Sequence, residues 1–237
     1  MGLFSKLFKA AFSKFRMNNE NPLSGSELKQ VLVGAVYAEQ QMAYLNSYET
    51  GLPEDKADTI LKNYWGIYNA ADAVETLTYL QNKGHRFYFD VIFDAVTKHK
   101  TSYASFLEEQ FPEKEELDKA VQLFRGLRTG IQTLIDDKVV ADAEEIKKTG
   151  VEGWDYGRLS FMARLCCDRN LISTFEMKDF LTEALNSTKG KYNSWEDVGK
   201  SYVIGRSMWG GSDNSGIAVI ARQLYTDAKS PWVQNPL

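Results

Sequence analysis

The sequence predicts an all-α protein, an irregular multi-helix bundle whose length also allows two packed helical lobes. Three observations carry that reading. Apolar residues recur at the i, i+3, i+4 spacing of a helix face through most of the chain. Helix-starting and helix-stopping residues punctuate these stretches at short intervals. No alternation of apolar and polar residues runs long enough for a strand, and no internal repeat is visible. Hydrophobic residues make up 43% and aromatic residues 13% of 237 positions, enough to bury a sizeable core.

The first element, residues 1–17, is a basic amphipathic helix. Leu3, Phe4, Leu7, Phe8, Ala11, Phe12 and Phe15 share one face, while Lys6, Lys9, Lys14 and Arg16 lie off it with no acid among them. The pattern fits a helix resting on an anionic membrane, with Phe4, Lys6, Phe8, Lys9, Phe12 and Phe15 as the contact residues. Docking of the same phenylalanine face on the protein body or a partner subunit is the alternative. Met17 offers a second start, which would leave residues 1–16 outside the protein. Residues 18–27, with Pro22 and Gly25, read as a linker.

An N-terminal helical half, residues 28–149, follows. A long helix is expected over Leu28 to Glu49, stopped near Gly51 and Pro53, then Asp55 to Tyr68, then Asp72 to Asn82 with Gly84 as a left-handed cap. Phe87 to Lys98, Ser102 to Phe111 and Lys114 to Lys138 read as further helices, and Asp142 to Val151 as a charged connector. The C-terminal half of the same domain, residues 150–237, opens with a helix over Trp154 to Arg169. Asn170 suits a left-handed turn, and Ser173 with Glu176 makes a capping box for a helix ending near Asn186. Ser194 caps Trp195 to Trp209, and a last helix covers Ile217 to Lys229.

Charge excludes one class of function. Outside residues 1–17 the chain holds 24 basic and 32 acidic residues, a net of −8. A body of that charge does not grip nucleic-acid backbone, so no nucleic-acid partner is expected. No apolar run reaches the 18 residues of a membrane-spanning helix. Lysines interrupt the N-terminus too often for a cleaved signal peptide. The adjacent Cys166 and Cys167 point about 100° apart on a helix and form no disulfide framework, which favours a reducing, cytoplasmic setting. Two histidines, His85 and His99, without HxxxH or ExxH spacing, predict no metal site. With no nucleotide loop or catalytic triad in the sequence, no cofactor is expected. The glycine-rich run from Trp209 to Gly216 opens a helix and reads either as an anion-holding loop or as a turn.

Arginine and tryptophan carry the remaining signal. Trp195, Val198, Tyr202, Gly205, Arg206 and Trp209 form one stripe of their helix. A mid-helix glycine costs about 1 kcal/mol, so close approach of another backbone is expected at Gly205. Arg206 among aromatics then needs a carboxylate or a bound anion. On the preceding helix, Trp154–Arg169, the residues Asp155, Arg158, Met162 and Arg169 share a face, and Asp155 is the natural partner of Arg158, of Arg206, or of both. Two arginines sharing one acid keep donors for a phosphate or carboxylate ligand. A closed Arg–Asp network that fixes two helices is the other reading. Tyr64-Trp65-Gly66-Ile67, Asp72 and the Gly84-His85-Arg86 segment form a third cluster. There a helix C-terminus would favour a protonated His85, as an acid or base or simply as a capping residue.

These stretches resemble a bacterial family known as domain-of-unknown-function family 1266. The likeness lies in Trp65-Gly66-Ile67, Asp72, Leu77, Leu80 and Gly84-His85-Arg86. It continues in Trp154-Asp155-x-x-Arg158, Arg164, Ser194-Trp195-Glu196 and Gly205-Arg206-x-x-Trp209, over roughly residues 28–212. The resemblance implies the helical fold and a bacterial cytoplasmic origin, and assigns no chemistry. Two functions are therefore expected in competition. One is a non-enzymatic binding protein with a protein partner, such as a toxin-neutralising immunity protein, recruited to the inner face of the membrane by residues 1–17. The other is an enzyme or sensor of an anionic small molecule, with Trp65, His85, Arg86, Trp154, Asp155, Arg158, Arg206 and Trp209 around one cleft.

Overall fold

One helix, Glu152–Asp168, is buried on nearly every side, including its charged Asp155, Arg158 and Arg164. Helices apolar on one stripe sit at surfaces, whereas one wrapped all round forms the centre of a bundle. Gly153, Gly157, Ser160 and Ala163 keep its girth small, so neighbours approach closely. The computed structural model describes residues 15–237 and is all-helical over them.

In chain order the helices are α1 (Gly25–Leu32), α2 (Ala35–Gln41), α3 (Glu54–Asp58), a π-helical turn (Thr59–Tyr64), α4 (Ala70–Asn82), α5 (Arg86–Thr97), α6 (Tyr103–Gln110) and α7 (Lys114–Asp136). There follow α8 (Ala143–Thr149), the central α9 (Glu152–Asp168), α10 (Thr174–Lys191), α11 (Trp195–Gly210), α12 (Ser215–Thr226) and α13 (Pro231–Gln234). Around α9 stand α11, α10, α4, α2 and α1; α7 packs across α11 and α5, and α12 packs on α11 and α2. Residues before and after 150 thus share one continuous core.

Local signals explain most boundaries. Asn69 accepts from the Asp72 amide, Ser173 and Glu176 form the reciprocal box, and Ser194 accepts from the Asp197 amide. Gly84 and Asn170 hold left-handed backbone at φ 57° and 55°. The expected connector Asp142–Val151 is instead helix α8, because Asp142 accepts from the Glu145 amide and starts it.

The expected long helix Leu28–Glu49 is broken. Its chain stops at Gly34, where a side chain would press on the Phe161 amide and Ser160 hydroxyl of α9. Met42, at φ 60°, ends α2, and residues 44–50 turn back. Buried Arg164 holds that turn by donating to the carbonyls of Tyr48 (3.2 Å), Tyr44 (2.7 Å) and Glu49 (2.9 Å). The Asp55–Tyr68 stretch likewise divides into α3 and the π turn, which ends before Gly66 at φ 68°.

Residues 18–27 are fastened rather than a free linker. Asn18 is buried, its amide and carbonyl pair with the Asn46 side chain, and Gly25 already lies in α1. Of the membrane-contact residues, Phe4, Lys6, Phe8, Lys9 and Phe12 lie outside the described residues. Phe15 is 8% exposed and packs in the core, and residues 15–17, expected at the end of the first helix, are not helical. No helix among the described residues is long and apolar enough to cross a membrane.

Candidate functional site

A cavity of about 660 Å³ opens between α2, the π turn, α4, α7, α9 and α11. Its floor carries His85, Trp154, Arg158 and Arg206, and Trp65 and Trp209 close its sides. Six of the eight ligand-contact residues expected from sequence therefore converge there. The other two, Asp155 and Arg86, sit behind the floor and hold it.

Asp155 is fully buried and receives four donors. The amides of His85 and Arg86 reach its two oxygens at 2.9 and 2.8 Å, and Arg86 Nη1 and Arg158 Nη2 follow at 3.3 and 2.6 Å. A carboxylate has about four lone-pair positions, so this one is fully used. The amides are the first of α5, which makes Asp155 the N-terminal cap of a helix 70 residues away in sequence. Only glycine fits at position 84, since a side chain there would overlap the Asp155 carboxylate. Arg86 also donates to the Leu80 and Gln81 carbonyls and closes the end of α4.

That arrangement reverses the expected state of His85. The residue follows the end of α4, but it stands at the start of α5, where the dipole opposes a positive charge. Trp154 Nε1–H donates to His85 Nδ1 at 3.0 Å. An indole nitrogen can only donate, so Nδ1 is the acceptor and the imidazole proton is on Nε2. Burial, with Arg158 and Lys119 nearby, pushes the imidazole well below its ordinary value of 6.5. His85 is a neutral hydrogen-bond donor near neutral pH.

Positive charge remains around it. The Arg158 guanidinium lies over the Trp154 and Trp65 rings at 4.4 and 5.5 Å, donating to the Trp154 carbonyl and Asp155. Arg206 lies over Trp209 at 4.8 Å, and its Nη1 is buried with no partner among the described residues. Asp155 serves Arg158 and Arg86 but not Arg206, and Arg169 turns outward to Glu54 and Asp58. The close approach expected at Gly205 comes from a side chain and not from another backbone, since the Cβ and indole of Trp154 would collide with any side chain at that position.

Lys119 of α7, also at the cavity, enters no ion pair among the described residues. Burial and then Arg158 lower its pKa, while Asp155 partly offsets them. Local sequence gives no sign of it, because a half-buried lysine on an amphipathic helix reads like its solvated neighbours. Tyr37 and Tyr79 were equally illegible, as their elements meet only in the folded chain, whereas Tyr64 belongs to the Trp65 cluster read from the sequence. Trp65 Nε1–H donates to the Tyr37 hydroxyl at 3.0 Å and ties the π turn to α2. The glycine-rich Trp209–Gly216 run is a turn closed on itself, with Ser207 and Asn214 both donating to the Gly211 carbonyl. Among the described residues no three His, Cys, Asp or Glu side chains converge as metal ligands.

A family model described as a protein of unknown function (DUF1266) matches residues 60–237. No curated protein and no solved structure matches the chain. The matched span contains α4, α5, α7, α9 and α11, which carry the charged floor, and excludes α2 with Tyr37.

Proposed function

We infer, for a chain that belongs to the DUF1266 family of unknown function, that it binds a small organic anion in the cavity floored by His85, Arg158 and Arg206. The observation that carries the reading is the surplus of cations over acids. Arg158, Arg206 and Lys119 meet there, while Asp155 is saturated by protein donors and Glu75 lies exposed at the rim. A guanidinium left with buried, unmade hydrogen bonds destabilises the empty site, and an anion relieves that cost. The volume lies within the range of sites for small organic molecules.

Binding or sensing accounts for these residues better than acid–base catalysis. A general base needs a free lone pair, and that of His85 faces the Trp154 indole. We place the protein in the bacterial cytoplasm, supported by the free Cys166 and Cys167 thiols and by the family likeness. The acidic body gives weaker support to a second reading, a basic protein partner. Contact of residues 1–17 with an anionic membrane rests on their sequence pattern alone.

Thermal-shift measurement with phosphate, nucleotides and dicarboxylates tests the reading. At a hundredfold excess over Kd an anion should add about 2.7 kcal/mol of stability. Arg206→Ala should abolish the shift. A set of anions that leaves the melting temperature of the wild-type protein unchanged would remove the proposal.

A further inference from the structure

We propose that the ligand is a phosphomonoester carried on a flat heteroaromatic ring, the chemistry of a nucleoside monophosphate or a phosphorylated ring cofactor. This deepens the anion-binding reading and rests on it. The argument begins with the donors left over. Arg158 uses Nε and Nη2 on the Trp154 carbonyl and Asp155, and Nη1 stays unused. Arg206, with Nη1 tucked against Gly210, makes no hydrogen bond among the described residues, Lys119 contributes its ammonium, and His85 the Nε2–H opposite its bond to Trp154.

These four groups come from α7, α9, α11 and the α4–α5 junction, so they approach one space from different directions. A ligand carboxylate presents two oxygens in one plane. A phosphomonoester presents three terminal oxygens on a tetrahedron and a charge of −1.5 to −2 near neutral pH, which suits three cations and a neutral donor. Asp155 cannot substitute for it, since its acceptor positions are filled.

The ring requirement comes from the sides. Both guanidinium groups already lie over indole rings, Arg158 over Trp154 and Trp65 and Arg206 over Trp209, so one face of each of these rings is taken. The free aromatic surface lies further out. Tyr64, at the end of the π turn, is 70% exposed and Trp209 is 45% exposed, both on the cavity wall. Exposed rings above a charged floor provide stacking for a flat group attached to the anion. Inorganic phosphate alone would leave most of the 660 Å³ to water.

Calorimetric titration of the full chain separates these requirements. The probes are AMP, GMP, CMP, UMP and pyridoxal phosphate, each against its dephosphorylated form, with inorganic phosphate and succinate alongside. At least one phosphorylated ring should bind about tenfold or more tightly than both its dephosphorylated form and inorganic phosphate. Lys119→Gln should weaken it by about ten- to a hundredfold. Tyr64→Leu, at an exposed position, should weaken the phosphorylated ring while leaving inorganic phosphate unchanged. Equal binding of phosphorylated and dephosphorylated forms would overturn the proposal. Binding of succinate but of no phosphorylated ring would overturn it too, and would leave the broader anion reading standing. Silence from every probe, anions included, would sink both.

Discussion

At the scale of single residues the site is governed by Asp155 and His85. Removing the Asp155 side chain strips compensation from Arg158 and Arg86 and leaves the two amides at the start of α5 without their acceptor. Asp155→Ala should therefore destabilise the protein by about 3–5 kcal/mol, measured by urea unfolding; a loss below about 1 kcal/mol would show that the cap is dispensable. His85 makes stability depend on pH. Below the ordinary histidine value of 6.5 the unfolded chain takes up a proton that folded His85 refuses, so its contribution is complete above 6.5 and declines on acidification. The slope is at most about 1.4 kcal/mol per pH unit. Glu39, whose carboxyl burial raises to about 6, acts in the opposite sense over the same window. The informative measurement is thus a comparison of wild type with His85→Asn, whose side-chain oxygen can still accept from Trp154. The variant should lose less stability between pH 6.5 and about pH 5, and identical slopes would mean that folded His85 protonates normally.

At the scale of helices, packing decides what periodicity cannot. The caps at Ser173 and Ser194 and the glycine at position 84 were legible because each acts within a few residues. The break at Gly34 was not, since its cause is the α9 surface more than 120 residues away in sequence. Arg164 is similar: its carbonyl partners at Tyr44, Tyr48 and Glu49 are set by a turn that no local pattern announces. Arg164→Met should cost about 3 kcal/mol and speed amide exchange in residues 43–50. Unchanged exchange would assign the turn to other contacts. Gly205→Ala gains helix propensity yet drives a methyl group into Trp154. It should be a net destabilisation of about 1–3 kcal/mol and should weaken ligand binding as Trp154 shifts, whereas a stabilised variant would show that the contact yields. Of the candidate site, the tryptophans and arginines were readable as chemistry. Lys119, Tyr37 and Tyr79 became visible only when α7, α2 and α4 met around α9.

At the scale of the molecule, α9 is shared. Helices before and after residue 150 bury their faces against it, and the core runs through both halves. Unfolding should therefore follow one transition, with tryptophan fluorescence and far-ultraviolet circular dichroism giving the same midpoint in urea. Two separated midpoints would restore the pair of lobes that the length allows. The bond pattern of Asp155 has a consequence for how such a site can diversify. Two of its four bonds go to main-chain amides, so the spacing between His85 and Arg158 is fixed by the skeleton of the bundle. Substitutions at Tyr64, Gln40 and Gln41 touch none of those bonds. A lineage could thus reshape the doorway of the cavity while inheriting the same charged floor intact.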